Sequence, residues 1–194
     1  MQSKFILKNI IIYKYAKYFS LLNAILLIPL LIIGSVFYAL TNYYIHYKII
    51  KHIIFLILYQ SINLGYFQIA KNKNMGSYHN LILIFILMLF INSGISIYET
   101  TYQTHSNLIN ITTTTISILL GFASSYYLIK YSKINKWFKP VGILQIVYSF
   151  LLFQDIFNLN FPNFKVIHGI LFLLVLEVRY ILDYKLFSSF IRKS

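Results

Sequence analysis

The residues best placed to do chemistry lie near the C-terminus, in a run that is otherwise apolar. His168, Glu177, Arg179 and Asp183 punctuate the stretch from 165 to 187. At 100° per residue, His168, Arg179 and Asp183 fall within about 60° of one another on a helix, and Glu177 lies about 180° from His168. Arg179 and Asp183 form an i,i+4 pair that can neutralise itself along one face, which predicts an ion pair near a membrane interface. Glu177 has no basic residue three or four positions away. A carboxyl group in hydrocarbon must be neutral or find a partner on another helix, so Glu177 is the candidate to carry a proton.

A second pattern lies in the middle of the chain. Asn110, Thr114, Ser117, Gly121 and Ser124 recur every three or four residues and form one small, polar helical stripe. Such a stripe either lets another helix approach closely or lines a hydrophilic path. Gln60, Asn63, Gln68, Asn92, Ser96, Gln145, Ser149 and Asp155 are available as the other walls of that path. Amides and hydroxyls with few carboxylates suit a neutral solute or a lipid head group better than a metal ion. His46, His52, His79, His105 and His168 are not spaced to converge on one metal from a single helix, and no metal or other cofactor is expected. The chain has no cysteine, which removes thiolate, disulfide and iron–sulfur chemistry.

The elements that must position these residues are membrane spans. A spanning helix needs about 20 mostly apolar residues, and six such runs are present, at 19–41, 49–70, 80–98, 108–129, 140–158 and 165–187. Connections this short force consecutive helices to be antiparallel neighbours. The expected fold is therefore all-α: a polytopic integral membrane bundle of about six transmembrane helices, forming one domain over 19–194. Residues 1–18 mix Lys4, Lys8, Lys14 and Lys17 with Phe5, Ile6 and Ile10 to Ile12, too charged to span. They are expected to be retained as an interfacial amphipathic helix leading into the first span.

Composition agrees: 59% of residues are hydrophobic, 11% are charged, and the mean hydropathy is +0.71. Lys and Arg number 17 against four acids, but they punctuate apolar runs and build no nucleic-acid surface. Thirteen of the 17 (Lys4, Lys8, Lys14, Lys17, Lys71, Lys73, Lys130, Lys133, Lys136, Lys139, Lys185, Arg192 and Lys193) fall on one side of the six-span layout, and three (Lys48, Lys51 and Lys165) on the other. That excess places both termini on the cytoplasmic or matrix side of a bacterial inner membrane or an organellar inner membrane.

The Gly121-Phe122-Ala123-Ser124 sequence in the fourth run, with His168-Gly169 in the sixth, resembles the rhomboid intramembrane serine proteases, which place a serine on the fourth span and a histidine on the sixth. The resemblance implies Ser124 as nucleophile and His168 as base. This chain departs from the family's pattern: Ser125 stands where Gly-x-Ser-Gly needs glycine, the second run lacks the His-and-Asn oxyanion pattern, and Ser124 and His168 are expected at opposite ends of their spans. A hydrolase therefore ranks last. The sequence points first to a non-catalytic membrane subunit or accessory protein, whose partners are the bilayer and other membrane subunits, with the small-residue stripe as a contact face. A small-solute or lipid transporter with a site between the fourth, fifth and sixth spans ranks second.

Overall fold

The computed structural model describes residues 2–39, 44–102, 107–156 and 165–192. They form six helices and, among the described residues, no strand: α1 (Gln2–Ala39), α2 (Tyr44–Asn72), α3 (Tyr78–Tyr102), α4 (Asn107–Lys130), α5 (Phe138–Ile156) and α6 (Lys165–Ile191). Each apolar run of the sequence has become one helix. Three segments are long and apolar enough to cross a membrane: Ile10–Leu30, Ile45–Asn72 and Tyr78–Tyr102. Phe138–Gln154 is apolar but shorter. The other two helices carry the polar stripe of α4 and the ionisable residues of α6, which lowers their hydropathy, and much of that polar content is turned inward.

The first helix differs from expectation. No break separates the segment expected at the interface from the first span: from Gln2 the chain runs as one helix of 38 residues, about 57 Å long. The reason is a single buried stripe that crosses the expected boundary without interruption. Tyr13, Ala16, Ser20, Asn23, Ala24 and Leu27 recur every three or four positions and are all buried. No glycine or proline interrupts the helix before Pro29. The Tyr13 hydroxyl accepts a hydrogen bond from Asn72 Nδ2 at 2.9 Å, and its ring lies 5.8 Å from that of Phe190, so α1 is tied to the ends of α2 and α6.

Neighbouring helices pack in chain order and α1 closes against α6, giving a ring of six. The seams α1/α2, α1/α6, α2/α3 and α4/α5 are tight, whereas α3/α4 and α5/α6 are looser. At Gly65 of α2, an added Cβ would lie 2.5 Å from Ala16 Cβ and 2.6 Å from Phe187 Cε1, so three helices meet where only a hydrogen fits.

Two turns close the lysine-rich end. After α2, Met75 N–H bonds Ala70 C=O at 2.9 Å and Asn74 N–H bonds Lys71 C=O at 3.3 Å, with Asn74 at φ 48°. This is a Schellman cap with asparagine in the left-handed position. Before α5, the Asn135 side chain accepts from Trp137 N–H at 3.0 Å as an N-cap. Its Nδ2 also donates to Ser189 Oγ at 2.5 Å, pinning the turn to α6. The aromatic and aliphatic core sits beside these turns, with Met75, Tyr78, Phe138, Val141, Leu186 and Phe187 at most 1% exposed.

Elsewhere the usual distribution is inverted. Asn23, Gln60, Asn63, Ser125, Gln145, Ser149, Arg179 and Asp183 are buried, while Ile32, Ile57, Leu87, Leu119, Phe150 and Leu174 are exposed. Water would reward the opposite arrangement. These apolar helices are compatible with hydrocarbon surroundings, where helix contacts are made by small and polar residues.

Candidate functional site

The buried polar groups converge on the axis of the ring. Arg179 and Asp183 are one helical turn apart on the inner face of α6, with Arg179 Nε 3.9 Å from Asp183 Oδ2. The ion pair that the spacing suggested therefore lies inside the ring, 6% and 1% exposed. The Tyr66 hydroxyl of α2 donates to Asp183 Oδ1. Arg179 Nε approaches the carboxylate at 3.9 Å, beyond hydrogen-bond distance, and neither Nε nor Nη1 has a hydrogen-bond partner.

Arg179 also lines a cavity of about 20 Å³, together with Asn63 and Tyr66 of α2, Tyr78 and Phe85 of α3, Ser124 and Leu128 of α4 and Gln145 of α5. It has room for one water-sized group. The Tyr78 hydroxyl and Ser124 Oγ, 3.2 Å apart, close it toward the lysine-rich end. A second cavity of about 240 Å³ is lined by Tyr59 of α2, Phe85, Leu89 and Asn92 of α3, Thr114 and Ser117 of α4, and Gln145, Tyr148, Ser149 and Leu152 of α5. Phe85 and Gln145 belong to both, so the two spaces adjoin. Within this region Asn92 Nδ2 donates to Ser117 Oγ at 3.0 Å, and the Ser117 hydroxyl donates to Thr113 C=O at 2.9 Å.

Six polar atoms here are buried with no hydrogen-bond partner: Arg179 Nε and Nη1, Asn63 Nδ2, Asn92 Oδ1, Gln145 Oε1 and Ser149 Oγ. An unmet buried polar group costs about 1–3 kcal/mol, and a cluster of them around a space that fits water or a small polar molecule makes this the candidate site. The side chain of Asn23, Gln60 Oε1, Glu177 Oε2 and Ser188 Oγ also lack partners, but these residues line neither cavity. Comparison with protein-family models, curated proteins and solved structures finds no match. The arrangement must be read from its own chemistry.

The stripe of α4 is used within the chain. Thr114 and Ser117 line the larger cavity and Ser124 the smaller. Gly121 abuts α5, where an added Cβ would collide with Ser149 Oγ and lie 2.9 Å from Gln145 Nε2. Gly121→Leu is accordingly expected to force α4 and α5 apart and to remove most of the folded protein, measured as the monodisperse fraction after detergent extraction. A variant that extracts as well as the parent would show that this contact does not hold the hairpin. The side chains of Asn110 and Asp155 lie outside the described residues, as does His105.

Glu177 is not part of the site. It is half-buried on the outer face of α6, sharing a helical face with exposed Ile170, Leu174 and Ile181. Among the described residues, the charged side chains that are buried are Arg179 and Asp183. His168, three residues into α6, has Nε2 3.2 Å from Leu151 C=O, whereas Ser124 sits beside Tyr78 near the opposite end of the ring. The structure thus gives Ser124 and His168 different partners and does not bring them together. Sequence reasoning missed Tyr59, Tyr66, Tyr78 and Tyr148. A signal existed for the first two, because Tyr59, Asn63 and Tyr66 follow helical spacing on one face of α2.

Proposed function

We propose that the chain is an integral membrane protein of six spanning helices, with its lysine-rich end on the cytoplasmic or matrix side, and that it binds a small polar solute inside the helix ring and serves its passage through the membrane. The carrying observation is the cluster of partnerless buried polar atoms around two adjoining cavities in a ring whose outside is apolar. Helices that only packed would satisfy these groups with one another, as Asn92 Nδ2 and Ser117 Oγ do. The site draws its walls from α2 and α3 as well as from α4 to α6, a wider setting than the last three spans. A volume below the roughly 300–1,000 Å³ of drug-sized sites points to a solute of few heavy atoms.

A second reading, a subunit of a larger membrane assembly, is favoured by Glu177. A carboxyl group on an apolar outer face is costly in lipid, and a basic or hydrogen-bonding residue of a neighbouring protein would relieve it. The α4 stripe no longer argues for that reading, since α3 and α5 occupy it. Extraction in a mild detergent followed by reconstitution decides between the two. A particle made of this chain alone that raises the permeability of vesicles to at least one small solute supports the first reading. Stoichiometric co-purifying chains, with no solute flux, replace it by the second.

A further inference from the structure

Building on the solute-binding reading, we infer that the site takes a small uncharged amide, its carbonyl oxygen toward Arg179 and Asn63 and its N–H toward Gln145 and Ser149. Charge comes first. Arg179 is the one charged residue lining either cavity among the described residues, and Asp183 balances it. An anion would leave an unmatched negative charge beside Asp183, and a cation would confront the guanidinium. Either costs more in a buried site than an uncharged ligand does.

Donors and acceptors are also sorted. Arg179 Nε and Nη1 and Asn63 Nδ2 can only donate, while Gln145 Oε1 and Asn92 Oδ1 can only accept. Ser149 Oγ, also partnerless, stands beside Gln145 at the α4/α5 contact. A hydroxyl would have to receive from Arg179 and give its proton to Gln145 or Ser124 at a single oxygen inside the smaller cavity. An amide separates the two functions onto different atoms, so its oxygen can meet the donors while its nitrogen meets the acceptors. The smaller cavity has space for one such oxygen, and the larger, with Phe85, Leu89 and Leu152 among its walls, has space for a short alkyl remainder.

The test is osmotic swelling of vesicles containing the full chain, followed by stopped-flow light scattering with acetamide, glycerol, glycine and acetate in turn. Acetamide entry should exceed that of protein-free vesicles and of the other three solutes. Gln145→Leu and the milder Ser149→Ala should each slow it, Gln145→Leu by about ten-fold, the size of one lost hydrogen bond in a buried site. Thermal unfolding in detergent establishes that each variant is folded, and Ser149→Ala serves where Gln145→Leu is not. Flux of glycerol, glycine or acetate in preference to acetamide overturns the amide assignment and leaves the solute-binding proposal standing. Silence with all four solutes overturns both. Acetamide flux unchanged in the folded variants removes the site from these residues.

Discussion

Asp183→Asn should lower the stability of the folded chain by about 3–5 kcal/mol, the loss observed when one member of a buried ion pair is removed. The substitution keeps the volume and deletes only the charge. Arg179, which desolvation already penalises, then has no buried counter-charge among the described residues. The Tyr66 hydroxyl can still donate to the new amide oxygen, so the loss reports the unbalanced guanidinium and not a broken Tyr66 contact. Arg179→Gln should be similarly damaging, because it strands the carboxylate. The double variant Arg179→Gln/Asp183→Asn should recover most of the loss, since neither charge is then buried. In thermal unfolding of the detergent-solubilised protein, the single variants should fall by on the order of 10 °C. Single variants matching the parent, or a double variant worse than either, would mean that the two charges are not energetically coupled. Because the recovered double variant lacks the guanidinium, it should be folded yet silent in the swelling assay, which separates the pair's structural part from its part in binding.

The second large effect concerns backbone approach. Gly65→Ala should cost about 1–3 kcal/mol, the range for overpacking a close-packed interior. The new methyl would press on Ala16 Cβ, which cannot rotate away, and on the ring of Phe187, itself fixed edge-on against Tyr66 at 5.3 Å. Gly94→Ala on α3 is the control, because nothing stands within 4 Å of its added Cβ. It should be neutral, or stabilise by up to about 1 kcal/mol through helix propensity. Both are read by the same unfolding measurement. Equal effects at the two glycines would show that the α1/α2/α6 contact is not tight.

The positions of the helices were readable in the sequence because apolar runs of spanning length are bounded by polar clusters such as Lys71–Asn74 and Tyr131–Lys136. Their faces were mostly not. In a helix meant for hydrocarbon the outside is as apolar as the packed inside, so periodicity identifies a face only where small or polar residues interrupt it. The Ser117-x-x-x-Gly121 stripe could therefore be recognised, but its partner α5 could not. Arg179 and Asp183 were found by their spacing. Tyr66 was one of 18 tyrosines, and its helical spacing from Tyr59 and Asn63 marked a face of α2 but not the partner it holds, Asp183, 117 positions away. The isolation of Glu177 along its helix says that it lacks a local partner, not which way it points, and it lies half-buried on the face it shares with exposed Leu174 and Ile181. The lysines of residues 1–18 suggested an interfacial helix, yet Lys14 and Lys17 stand on the flanks of a stripe that continues unbroken from Tyr13 into the next segment.

The unequal seams of the ring have a mechanical consequence. Cutting it at α3/α4 and α5/α6 leaves two bodies: a block of α6, α1, α2 and α3 locked by close contacts such as Gly65 against Ala16 and Phe187, and an α4–α5 hairpin locked by Gly121 against Ser149. Across the cuts the bodies are joined by hydrogen bonds, Tyr78 to Ser124 and Asn92 to Ser117 on one side and Asn135 to Ser189 on the other, and by the tilted contact of the Tyr148 and Phe172 rings. Such links can be exchanged at less cost than interlocked backbones can be separated, so the softest motion of the assembly is a pivot of the hairpin. Arg179 and Asn63 ride on one body, and Gln145 and Ser149 on the other. A molecule held between them would act as a strut whose arrival and departure set the angle of that pivot.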